Sequence, residues 1–184
     1  MTRRAWTILA VDLAAAAAFG GAVLSGGGSS PIVIEPSPAG LFSDAQWQTV
    51  QSRVVRRGFD PAGIRVVGGT MLLPQRQPFA LIAGTAHARQ CFVPVRGVAL
   101  GRTVCSVSKP MLVFTAPGRM TAVIGLAGRG VVALAIEDRA GHVTGLPLVS
   151  VGGILTFAGG ASGGRILRAY GADGHVLERM KLRA

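Results

Sequence analysis

Beyond Gly63 the chain breaks into short apolar runs separated by Gly, Pro and Asp: "IRVVGG", "TMLLP", "FALIAG", "CFVPV", "TVCSVS", "MLVFTAPG", "MTAVIGLAG", "VVALAIEDRAG", "VTGLPLV", "ILTFAGG", "RILRAYGADG" and "HVLERMKL". Short strands at regular spacing, with turn signals between them, predict an antiparallel β-sandwich or a barrel-like closure of the same strands. Many runs are apolar at every position, as expected of strands covered on both faces. The last run alternates: His175, Arg179 and Lys181 share one face, and Val176, Met180 and Leu182 the other. That is the pattern of a half-exposed edge strand blunted by charge. "VVGGT" and "LAGRG" read as strand ends followed by turns.

One stretch carries helical periodicity instead. Over residues 42–58, "FSDAQWQTVQSRVVRRG", the apolar positions Trp47, Val50 and Val54 recur at helical spacing. Ser43 and Gln46 form a capping box, and Phe42 with Trp47 a hydrophobic staple. Arg56 and Arg57 stand where cations suit the helix dipole, and Gly58 can stop the helix.

The N-terminus has a different character. Arg3 and Arg4 precede a run from Trp6 to Leu24 that is apolar except for Thr7, Asp12 and glycines. This is the layout of an export signal, and it is close to the ~20 residues that span a bilayer. The arginines favour a cytoplasmic N-terminus. Residues 1–24 are therefore expected to be a transmembrane anchor or a signal peptide. Residues 25–40, rich in Gly, Ser and Pro, are expected to form a linker, and residues 41–184 an extracytoplasmic β-rich domain. The expected location is the cell membrane, single-pass through residues 6–24 with the domain outside; secretion after signal cleavage is the alternative.

The charge is +11 over 184 residues, and Lys109 and Lys181 are the only lysines. Abundant Arg, Ala and Gly fit GC-rich coding, so part of this excess reflects bias. An export signal and few aromatic residues for base stacking argue against nucleic acid as a partner. Several arginines fall at predicted turns. Arg96, Arg102 and Arg129 are the candidate patch for an anionic envelope polymer, lipid headgroups or an acidic protein.

The only cysteines are Cys91 and Cys105, fourteen residues apart. A zinc site would need His87 and a further ligand from His142 or His175, without any C-x-x-C pair. A hairpin turning at Val98, between Gly97 and Gly101, places the cysteines opposite each other in a non-hydrogen-bonded pair within disulfide range. A structural disulfide is expected, in an oxidising compartment. Pro94 places this hairpin at a sheet edge. No cofactor is implied.

Two further patterns resemble known families. "DRAGHV" (138–143) and "GADGHV" (171–176) read as similar hairpins, and resemble the turns of small extracellular sandwich modules such as carboxypeptidase-regulatory-like domains. "GTAHARQC" (84–91) and "GASGG" (160–164) are similar to the His and nucleophile motifs of trypsin-like serine proteases. That resemblance implies His87 as base and Ser162 as nucleophile, with Glu137 or Asp138 completing a triad. His87 is not followed at once by Cys, however, and Ala161 stands where the family has Asp. "GASGG" also fits the G-x-S-x-G elbow of α/β-hydrolases, but it lies between two strand-like runs rather than a strand and a helix. The expected function is a non-catalytic, membrane-anchored binding, assembly or structural domain of the cell envelope. A small exported serine hydrolase using His87 and Ser162 is the alternative.

Overall fold

The computed structural model describes residues 38–105, 109–116, 121–161, 163 and 166–182. The expected anchor lies outside the described residues. Among them, no helix is long and apolar enough to cross a membrane.

The chain enters through a single helical turn, α1 (Pro38–Leu41), where the linker was expected to run to residue 40. The main helix, α2 (Asp44–Val55), is narrower than the predicted 42–58. Its start is built as the sequence implies. Ser43 Oγ accepts from the Gln46 amide, and Gln46 Oε1 accepts from the Ser43 amide at 3.0 Å. Phe42 and Trp47 stack outside this box with ring centroids 5.7 Å apart. Removing the cap by Ser43→Ala is expected to cost about 1 kcal/mol. The urea midpoint should fall with no change in m-value.

Among the described residues twelve strands follow, in three four-stranded antiparallel sheets. Sheet A has the order β1 (Arg65–Leu72), β2 (Gln77–Ala86), β3 (Arg89–Arg96), β4 (Ala99–Leu100). Sheet B has the order β5 (Met111–Ala116), β6 (Thr121–Ala127), β10 (Ile154–Ala161), β9 (Leu148–Val151). Sheet C has the order β12 (Val176–Lys181), β11 (Ile166–Tyr170), β7 (Ala133–Glu137), β8 (Val143–Leu146).

The layers stack as helix, sheet A, sheet B and sheet C, with an apolar core at each interface. Val50 and Val54 of α2 meet Val66, Ala80, Ile82, Cys91, Val93 and Val95 on one face of sheet A. The opposite face presents Val67, Phe79, Leu81, Ala83 and Phe92 to Ala122, Ile124, Leu126 and Ala158 of sheet B. Sheet B then turns Met111, Val123 and Phe157 toward Leu134, Ile136, Leu167 and Ala169 of sheet C. Sheets A and B are thus buried on both faces, which is why their strands read as unbroken apolar runs.

Two corrections follow from this stacking. "VVGGT" is strand interior, not a strand end. β1 runs through it, with a bulge between Val66 and Gly68. A side chain on Gly69 would lie 2.5 Å from Leu41 Cδ1, and one on Gly68 would touch Thr156. The glycines let α1 and sheet B approach the backbone of β1. Second, β12 is an edge strand, but Val176 does not share a face with Met180 and Leu182. Ala169 pairs with Glu178 and Tyr170 with Val176, so Leu177 is extruded in a bulge. The bulge moves Val176 to the face of Arg179 and Lys181.

Candidate functional site: the open face of sheet C

The predicted disulfide is present. Cys91 and Cys105 are bonded with Cα atoms 3.9 Å apart. Beside them Phe92 and Val104 exchange both backbone hydrogen bonds, at 2.7 and 2.9 Å. The cysteines are therefore the adjacent non-hydrogen-bonded pair, where Cα atoms come closest. Pro94 explains why a crosslink is useful here. Even-numbered residues of β3 point their amides toward β4, and Pro94 has none to offer. The β3–β4 ladder stops after Leu100 and resumes only at the Phe92–Val104 bridge. The disulfide holds the edge beyond that gap, under α2, with Cys91 fully buried.

Arg53 and Arg57 tie the same edge to the helix. Arg53 donates to the carbonyl of Val98 at 2.7 Å, and Arg57 to the carbonyls of Gly101 and Leu100. Arg57 is thus a tertiary clamp, beyond the helix-end charge that its position suggests.

Arg96, Arg102 and Arg129 are all exposed, but the fold does not bring them together. The Arg65 guanidinium reaches the β9–β10 turn, where a side chain on Gly152 would meet it at 3.3 Å. Ala127 pairs with Leu155, so the turn carrying Arg129 is at this same end. Arg96 pairs with Phe79, itself opposite Thr70. That is five residues along β1 from Arg65, or about 16 Å toward the other end. Arg96 also donates to Gln77 at 2.9 Å. Arg102 sits between them on the sheet A edge, in the gap opposite Pro94. Turns of a three-sheet stack are shared among more ends than those of a two-sheet sandwich, so turn position alone did not define a patch.

His87 caps the β2–β3 hairpin with a positive φ of 50°, its ring beside Gly58 past the end of α2. This is the Arg65 end, because Arg65 pairs with Ala83 shortly before the hairpin. Ser162 lies outside the described residues. Neither proposed third member faces His87. Glu137 is engaged by Arg168. Asp138 closes the β7–β8 hairpin, accepting from the amides of Ala140 and His142 and pairing with His142 Nδ1 at 3.1 Å. The His142 amide, above all, holds the Asp138 carboxyl below its usual range.

The two similar hairpins share their backbone plan. Asp138 and Gly171 each donate to the carbonyl four residues on and accept from the glycine three residues on, Gly141 and Gly174. Both glycines have positive φ, 86° and 76°. The hairpins lie at opposite ends of sheet C, since β7 and β11 are antiparallel. Their histidines do not converge, and among the described residues no group of three or more His, Cys, Asp or Glu could hold a metal ion.

The charges do gather on the outer face of sheet C. Pairing sets the outward residues in rows. Val143, Glu137, Ile166 and Lys181 form one row. Gly145, Ala135, Arg168 and Arg179 form the next, and Ala133, Tyr170 and Val176 the third. Arg168 and Arg179 are directly opposite, a placement that like charges disfavour. Glu137, on the diagonal, binds Arg168 and offsets one charge. Arg179 and Lys181 remain exposed. Three cations thus share a face with one carboxylate, beside the aliphatic and aromatic side chains of Ile166, Tyr170 and Val176. The sequence marked Arg179 and Lys181 only as edge-strand charges. Arg168 stands in a separate strand-like run, and pairing register is what joins the three.

No protein-family model, curated protein or solved structure matches this chain.

Proposed function

We propose that the chain is a membrane-anchored, extracytoplasmic binding domain of the cell envelope, non-catalytic, whose basic surface engages an anionic partner. The observation that carries the binding reading is the outer face of sheet C, where Arg168, Arg179 and Lys181 stand against Glu137 alone. The buried Cys91–Cys105 bond supports an oxidising compartment. The run from Trp6 to Leu24 behind Arg3 and Arg4 supports anchoring with the N-terminus inside. Without Arg3, Arg4 and Asp12 the chain has 17 basic and 7 acidic side chains, so about +10 would stand outside.

Two measurements test this reading. A reporter active only outside the cytoplasm, fused after Ala184, is expected to be active; an active cytoplasmic reporter at that site overturns it. On immobilised polyglutamate, the protein should be retained at about 0.05 M salt and released by about 0.5 M, as the Debye length falls from above 10 Å to a few. Arg179→Glu with Lys181→Glu should abolish retention, and Arg96→Glu with Arg129→Glu, the same change of charge, should leave most of it. Equal losses in the two variants would mean that net charge alone is at work. Labelling of Ser162 by a fluorophosphonate probe would replace this reading with the hydrolase.

A further inference from the structure

Sheets A and C are the outer sheets of the stack, four strands each, and each gives one face to sheet B. α2 covers the other face of sheet A. On the other face of sheet C Val143, Val176, Arg179 and Lys181 are exposed, while Ala135 is buried opposite Arg168. We propose that this face receives an acidic amphipathic helix of a partner protein, laid over Val143, Ile166, Tyr170 and Val176 with its carboxylates at Arg168, Arg179 and Lys181. This rests on the reading of an anionic partner above and specifies its class.

Size favours a single element. Four strands at about 4.8 Å spacing, five residues long at about 3.3 Å each, give a bed of about 19 by 17 Å, roughly 300 Å². Two globular surfaces in a stable complex each bury about 800 Å². A helix 10–12 Å across fits the bed. The molecule itself shows the match, for the 12-residue α2 covers the equally wide sheet A.

Composition separates a reversible partner from a permanent one. Beneath α2, sheet A is wholly apolar. The sheet C bed mixes Tyr and Arg, residues enriched at binding hot spots, with small and aliphatic side chains. Charge selects the occupant. A second copy of a chain at +11 is repelled, and carboxylates are attracted. A bilayer would require side chains that penetrate the headgroup region by about 5–10 Å, which a flat sheet face with half-buried Tyr170 does not supply. A simple polyanion would leave Ile166, Tyr170 and Val176 unused.

The test uses full-length protein in nanodiscs of zwitterionic lipid. The probe is a fluorescent amphipathic peptide of about 16 residues, with Leu at i, i+3, i+4 and i+7 and Glu on both flanks; its Gln counterpart, polyglutamate and anionic vesicles are the comparisons. The Glu peptide is expected to bind at least tenfold more tightly than the Gln peptide. Arg179→Glu with Lys181→Glu should weaken it at least tenfold. Val143→Trp, at an exposed position in the row of Ile166 and Lys181, raises the bed and leaves every charge in place; it should abolish peptide binding and spare polyglutamate retention. Val176→Trp, at an exposed strand end, serves the same purpose should Val143→Trp fail to melt cooperatively. If the peptide is insensitive to both tryptophans, or if vesicles bind through Arg179 and Lys181 and the peptide does not, the helix is refuted and the anionic reading survives. If no anionic probe responds to Arg179→Glu with Lys181→Glu, both fail.

Discussion

Replacing Phe157 by alanine is expected to destabilise the domain by about 3–5 kcal/mol, the range for a large buried aromatic. Phe157 is 1% exposed at the middle of β10. Its ring lies in the core between sheets B and C, with Val123, Leu134, Ile136 and Leu167. No neighbouring element is free to collapse into the space, because sheet B is also held from its other side by sheet A. The ring stands over Gly125, its direct partner on β6. A side chain at residue 125 would lie 2.4 Å from Phe157 Cζ and 2.2 Å from the carbonyl oxygen of Leu112. Gly125→Ala should therefore fail differently, by forcing β5 away from β6, at a cost of about 3 kcal/mol or more. Total stabilities are about 5–15 kcal/mol, so either change should move the urea midpoint far down. A loss below about 1 kcal/mol for Phe157→Ala would mean that sheets B and C are not packed as described.

The local signals in the chain are more legible than the long-range ones. The capping box at Ser43, the staple of Phe42 on Trp47 and the positive φ of Gly141 and Gly174 depend on residues within a few positions of one another. So does the Cys91–Cys105 pair, whose geometry follows from one hairpin. The number of sheets depends on which strands pair across long separations, and no spacing reveals that. "IRVVGG" and "TMLLP" merge into β1 because α1 and sheet B require bare backbone at Gly68 and Gly69. "VTGLPLV" divides at Pro147 into β8 of sheet C and β9 of sheet B. The basic face was invisible for the same reason. Arg168 and Arg179 are eleven residues apart in sequence and become neighbours through the β11–β12 register, while the bulge at Leu177 resets which residues share their face.

Removing the crosslink by Cys91→Ala with Cys105→Ala is expected to cost about 3 kcal/mol, the chain-entropy value for a loop of about 15 residues. At about 2–4 °C per kcal/mol for a domain of this size, the melting temperature should fall by roughly 6–12 °C. Alanine is the appropriate replacement, since a serine hydroxyl at the fully buried Cys91 would add its own desolvation cost. The loss should begin locally. Beyond Gly101, whose amide donates to the Pro94 carbonyl, the edge is tied to β3 by the Phe92–Val104 bridge and the disulfide. In the variant the amides of Phe92 and Val104 should exchange with solvent well before those of Ala80 and Ile82 in β2. The unmodified protein, collected from outside the cytoplasm, should give an intact mass with no alkylation unless it is first reduced. Produced in a reducing cytosol, the same chain should melt like the double alanine variant and recover on oxidation. Free thiols in the exported protein, or an unchanged melting temperature in the variant, would remove both the crosslink and the oxidising compartment that it supports.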